Sequence, residues 1–357
     1  MHASDVTRHE ALRIFDLLYG KAWNGMGGSR VLGGTREALR TAYEGCLIGG
    51  YAPHYWLEMP LAGEPHSDLH VSYDWAEVVP GARFAPGAGF GYQGLYDWFC
   101  KAGTRNTGID FTFDLSDANI EAVGAYVSFR DVAKLDLAGF CSALGCPGDV
   151  ARCRRLAGSF PSGWRVWYLS PFPRRDGNPL RAAALASDGL RLRFADDPSL
   201  VREHLRHMGI ASIPEELCRQ VSELSKLPIL LEWRVTMDGD AAMRDHVDVS
   251  FYLSQSYLFG EDVRRCFAAD GVGTRALGLF ERWGVADSRW RDVVAGSFAN
   301  KGPFRLDDGT LRALVGICSP SCFMLPWDKG RPLPAKVYPK MEAFLTEPPV
   351  TRPSFAG

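Results

Sequence analysis

The chain is patterned with period two. Residues 245–253 read Asp-His-Val-Asp-Val-Ser-Phe-Tyr-Leu. His246, Asp248, Ser250 and Tyr252 fall on one face, and Val247, Val249, Phe251 and Leu253 on the other. Such alternation predicts a half-buried strand whose polar face meets water or a ligand. Leu230 to Thr236 alternates in the same way, so residues 230–254 form a hairpin. The unit recurs through Val71-Ser72-Tyr73, Val127-Ser128-Phe129 and Val249-Ser250-Phe251, each on the second strand of an expected hairpin. Hairpins are expected near 54–74, 108–130, 164–186, 230–254 and 311–341.

Between the hairpins the apolar period lengthens to that of a helix. Helices are expected over 4–21, 35–46, 94–102, 135–144, 148–158, 198–208, 213–225, 261–269, 274–283 and 288–297. Thr35 and Ser212 stand where N-caps belong, with Pro214 just inside the second. Residues 22–32, 75–93 and the tail after Glu347 read as loop. Asp149, Arg152, Arg154 and Arg155 read as a solvated helix face, and Met237 and Met243 as flanks of an exposed turn.

Each visit to the sheet is a pair of half-polar strands, whereas a βαβ sheet would show single apolar ones. Ten antiparallel strands covered by helices on one face can close on themselves and remove their edges. The expected fold is α+β: repeated α-β-β-α units forming a ten-stranded antiparallel barrel with an outer ring of helices. The polar alternates then point into the lumen. No linker divides the chain, so 1–357 is expected to be a single domain.

Composition narrows the function. A formal net charge of −2 argues against the basic surface that nucleic acid requires. No run approaches the roughly 18 apolar residues of a membrane span. The N-terminus lacks a signal-peptide core, so a cytoplasmic protein is expected. Nine cysteines, an odd number without a secretory signal, argue against a disulfide framework. Cys318 and Cys322 have a spacing that zinc tolerates, but no second Cys/His pair lies nearby. The Gly25–Gly34 stretch lacks the pattern of a phosphate loop.

Asp68-Leu69-His70-Val71-Ser72 is similar to the Glu-Leu-Asp-Phe-Ser segment of soluble bacterial aromatic prenyltransferases, the ABBA barrels. Over about residues 35–342 the succession of elements resembles the same family. The resemblance implies transfer of a prenyl group from an allylic diphosphate to an aromatic or heteroatom acceptor, in natural-product or modified-peptide biosynthesis. The partners would be an isoprenyl diphosphate and an aromatic or peptide acceptor. The family position that some members use for magnesium is His70 here, and no cofactor is expected.

The chemistry asks for cations to hold the leaving diphosphate and aromatic faces to shield the allylic cation. Arg165, Arg234, Lys336 and Lys340 are the candidate cations, with Arg181 beside them. Trp56, His70, Tyr126, Tyr252 and Tyr338 are the candidate walls. Glu58 is the expected acid/base residue and Glu232 the runner-up. Two other classes compete. One is a noncatalytic barrel that holds a peptide or metabolite. The other is a metalloenzyme built on His70, His246 and Asp248. Convergence of Arg165, Arg234 and Lys336 favours transfer, and their neutralisation by carboxylates such as Glu232 and Asp248 counts against it.

Overall fold

A computed structural model describes residues 6–48, 53–74, 82–84, 92–102, 107–115, 123–253 and 261–347. The tail after Glu347 and most of 75–93 lie outside the described residues. The strands are β1 (His54–Pro60), β2 (Asp68–Asp74), β3 (Gly108–Phe113), β4 (Gly124–Ser128), β5 (Trp164–Pro171), β6 (Leu180–Ala186), β7 (Leu230–Met237), β8 (Met243–Tyr252), β9 (Phe298–Arg305), β10 (Leu311–Asp328), β11 (Arg331–Pro332) and β12 (Lys336–Thr346). β1 to β8 pair in sequence, and β8 pairs with β10, β10 with β12, and β12 with β1. This is a closed ten-stranded antiparallel barrel, and the fold is α+β as the alternation predicts.

The helices are α1 (Arg8–Gly25), α2 (Ser29–Leu32), α3 (Arg36–Gly45), α4 (Tyr92–Ala102), α5 (Leu137–Ala143), α6 (Val150–Ala157), α7 (Asp188–Asp196), α8 (Pro198–His207), α9 (Glu215–Ser225), α10 (Glu261–Cys266), α11 (Val272–Arg282) and α12 (Arg289–Ala295). None of the described helices is long and apolar enough to cross a membrane. They cover the outward strand residues, such as Val71, Phe111, Trp233 and Val249, which are buried. The core is thus a shell between barrel and helices.

Local signals explain the helix starts. The Thr7 hydroxyl accepts from the Glu10 amide at 3.1 Å, and the Glu10 carboxylate accepts from the Thr7 amide at 2.6 Å, a reciprocal box that starts α1. Asp197 caps α8, with Pro198 in its first turn. Ser187 caps α7, an element the alternation gave no sign of.

Several expectations need correction. α1 runs through the glycine-containing stretch to Gly25, and α2 follows where loop was expected. Thr35 stands at the start of α3 but its hydroxyl points back to the Leu32 carbonyl at 3.5 Å. α9 starts at Glu215, because Asp245 takes the Ser212 amide at 2.7 Å and holds that residue outside the helix. Asp149 and Arg152 are not a solvated face. They pair at 2.6 Å, and Arg152 donates to the carbonyls of Asn178 (2.8 Å) and Asp238 (2.9 Å), tying two turns together. Met237 is buried and Met243 packs on the core. β9 adds an outer strand to the first half of β10, outside the ring.

Trp233 shows how the shell is held. It is fully buried, stacks on Phe194 of α7 with ring centroids 5.3 Å apart, and meets Trp164 at 4.5 Å. Truncating so large a buried side chain removes transfer energy and leaves a cavity. Trp233→Ala is expected to lower unfolding stability by about 3–5 kcal/mol in urea titration.

Candidate functional site

Closure of the barrel decides what faces the lumen. Register places His54, Ser72, Asp110 and Tyr126 in one row across β1 to β4. Trp56, His70 and Thr112 form the next, and Trp56 is also opposite Lys340. On the far side Tyr252, Cys322 and Tyr338 form a row across β8, β10 and β12. A cavity of about 870 Å³ lies among these rows. It reaches Gly163, Ser187, Asp188 and Leu230, at the end of the barrel where strands join helices. Its size falls within the roughly 300–1,000 Å³ of small-molecule sites.

Seven expected site residues line this cavity: Trp56, His70, Tyr126, Arg165, Arg234, Tyr252 and Tyr338. Glu58, Glu232, Lys336 and Lys340 are not among its lining residues. Lining residues that the alternation did not single out include His54, Ser72, Asp110, Trp164, Trp167 and Tyr168. The register shift between Val166 and Tyr168 explains part of this. A bulge turns two successive residues toward one side, which a strict period of two cannot anticipate. Both Trp167 and Tyr168 therefore reach the chamber.

The cations arrive paired. Arg234 Nε donates to Glu232 Oε1 at 2.6 Å, and Glu232 Oε2 accepts from Trp167 (2.7 Å) and Tyr252 (3.2 Å). Burial opposes the charge of Arg234, yet Glu232 and the surrounding tyrosines raise its pKa. Its guanidinium lies 5.7 Å from the Tyr168 ring and 5.4 Å from the Tyr338 ring. Lys336 is bonded to Glu58, whose other oxygen lies 3.1 Å from His70 Nε2. Burial would push the Glu58 carboxyl up, but Lys336 and His70 hold it well below the usual carboxylate range. Lys340 bonds Glu342 at 3.1 Å and lies 5.7 Å from the Trp56 ring.

Arg181 and Arg165 differ. Arg181 donates to the Tyr126 hydroxyl at 3.1 Å, and its buried Nε has no hydrogen-bond partner among the described residues. Arg165 is exposed and lines the cavity, and it has no ion pair among the described residues. Of the three cations whose convergence was at issue, Arg234 and Lys336 are each held by a glutamate, while Arg165 is not.

His70 and His246 are held by different partners. His70 Nδ1 lies 3.2 Å from Thr112 Oγ1, while His246 lies 2.9 Å from Asp248 and 3.5 Å from Asp328. Among the described residues no three His, Cys, Asp or Glu side chains are arranged to hold a metal ion, so the His70, His246 and Asp248 centre does not form. Cys318 and Cys322 are both buried and free. Burial pushes the Cys322 thiol up to about 12, which leaves it a neutral wall of the chamber.

The comparisons support the fold. The crystal structure of the prenyltransferase PriB in its apo form matches with a TM-score of 0.51 and 15% identity, over 95% of this chain and 98% of that one. No protein-family model matches the chain, and no curated protein matches it. At that identity the likeness shows a shared barrel.

His246 carries a pH consequence. Burial opposes its imidazolium, but Asp248 and Asp328 outweigh it and raise the pKa. A raised native pKa adds stability that is fully present below the unfolded value of about 6.5 and is lost as pH rises through the native value. The stability gap between wild type and His246→Asn in urea titrations is therefore expected to be widest near pH ~5.5 and to shrink by pH ~9.

Proposed function

We propose that this protein transfers a prenyl group from an allylic diphosphate to an aromatic or heteroatom acceptor. The observation that carries the reading is the chamber itself: about 870 Å³ inside a closed barrel, with Arg234 set against the faces of Tyr168 and Tyr338. The barrel shared with a prenyltransferase supports it at the level of fold. Arg234 and Arg165 would meet the diphosphate, with Lys336 and Lys340 behind them. Trp56, Tyr126, Tyr252 and Tyr338 would flank the prenyl chain. Ionisation breaks the C–O bond and leaves charge of both signs in a site from which water must be kept. In this reading Glu232 and Glu58 hold Arg234 and Lys336 in charged, fixed positions.

A second reading is a noncatalytic barrel for an aromatic metabolite or peptide. The observation favouring it is that Arg234 and Lys336 are already neutralised by Glu232 and Glu58. Such a wall suits a neutral ligand better than a diphosphate.

Equilibrium titration separates the two. Dimethylallyl and geranyl diphosphates are expected to bind wild type at about micromolar Kd, tighter than inorganic pyrophosphate. Arg234→Gln and Lys336→Met, checked for native circular dichroism, are each expected to weaken binding by about tenfold or more. No binding to wild type, or binding indifferent to both substitutions, rejects prenyl transfer and favours the neutral-ligand barrel.

A further inference from the structure

Glu58 stands behind a residue of the chamber wall. It does not line the cavity, and its carboxylate is bonded to Lys336. His70, paired with Trp56 across β1 and β2, does line the cavity, and its Nε2 lies 3.1 Å from Glu58 Oε2. Burial opposes the charge of Glu58, yet Lys336 and His70 hold its carboxyl well below the usual carboxylate range. An ionised carboxylate only accepts, so the proton between the two side chains sits on Nε2. In the neutral ring Nδ1 is then the basic nitrogen, and the Thr112 hydroxyl donates to it at 3.2 Å.

This is the layout of an oriented base. One ring nitrogen carries a lone pair, and a carboxylate on the other fixes the tautomer and stabilises an imidazolium. The groups facing the imidazole are Glu58 from β1, Thr112 from β3, Tyr126 from β4 and Tyr338 from β12, with the Lys336 ammonium beyond Glu58. The Tyr126 and Tyr338 rings lie 5.8 and 6.0 Å from the His70 ring, and both line the chamber. A hydroxyl turns about a single bond, so an incoming O–H can take the place of Thr112 at Nδ1. Glu232 offers no such base, because its two oxygens are taken by Arg234, Trp167 and Tyr252, and it too does not line the cavity.

We propose that His70 is the base that takes the proton of a phenolic acceptor during transfer, with Glu58 orienting its ring. The proposal rests on the prenyl-transfer reading. In the transfer step the C1–O bond of the allylic diphosphate breaks, and its electron pair leaves with diphosphate. A lone pair of the phenol oxygen forms the new bond to C1. The phenol proton moves to His70 Nδ1, and the imidazolium, held by Glu58, then gives it to solvent. A neutral phenol oxygen is a weak nucleophile, so losing the proton as the bond forms is what the base contributes. His70 is thus a catalytic residue, while Glu58 positions it.

The test compares two acceptors in the full-length protein, with dimethylallyl diphosphate as donor and mass spectrometry reading the prenylated product. At pH ~8.5 phenol keeps its proton, whereas 4-nitrophenol has already lost it and needs no base. His70→Gln keeps a polar side chain at the site but carries no basic nitrogen. It is expected to slow transfer to phenol by about a hundredfold or more, and transfer to 4-nitrophenol by less than about threefold. Glu58→Gln removes the orienting charge and is expected to shift the same ratio in the same sense, by about tenfold; it carries the test if His70→Gln does not fold. A merely structural role would slow both acceptors alike. Equal losses for the two acceptors, or phenol transfer as fast as in wild type, overturn the role of His70 and leave prenyl transfer standing. Product from neither acceptor in wild type rejects prenyl transfer, and the base falls with it.

Discussion

The structure depends on pairing charges inside a closed barrel. Closure removes sheet edges, and with helices burying the outward apolar alternates it leaves the polar ones facing a confined lumen. A charge there loses hydration and persists only when a partner and further hydrogen bonds replace it. Arg234 with Glu232, Lys336 with Glu58 and Lys340 with Glu342 meet that demand. Neutral donors complete it, as Trp167 and Tyr252 do for Glu232. These contacts explain why so many charged residues can sit on strand faces without opening the barrel.

The same pairing shapes the chamber. The ion pairs of Lys336 with Glu58 and of His246 with Asp248 and Asp328 lie toward the hairpin turns, where β1, β8, β10 and β12 have those ends. The cavity extends the other way, to the ends of the strands that join helices. Aromatic rings dominate the space between. Its lining includes Trp56, Trp164, Trp167 and Tyr168, the exposed Arg165, and Arg234, which Glu232 holds. Affinity for an anion therefore depends on how readily Arg234 exchanges Glu232 for the ligand.

Much of this was legible in the sequence, because a strand with one wet face writes its register in every second residue. The alternation of His246 to Tyr252 marked which residues face inward, while the repetition of the hairpins allowed a closed sheet without distinguishing it from an open one. What stayed hidden depended on single departures from that period or on contacts distant in sequence. The bulge after Val166 brings Trp167 and Tyr168 inward together. Arg152 looks solvated along its helix, but its partners are carbonyls of turns far along the chain. Glu58 and Glu232 looked like chamber acids because strand faces can be read, whereas the cation beside each cannot.

The central claim is that lumen cations are held in reserve by carboxylates and set what the chamber binds. It is tested most directly by titrating inorganic pyrophosphate into wild type and Glu232→Gln at equal ionic strength. Glu232→Gln keeps the shape and hydrogen bonding of the side chain but removes the charge that neutralises Arg234. The account predicts pyrophosphate affinity several-fold higher in the variant, by about tenfold if the released charge is fully available. Unchanged or weaker binding in a natively folded variant would contradict it, because Arg234 would then not be the group an anion meets in the chamber.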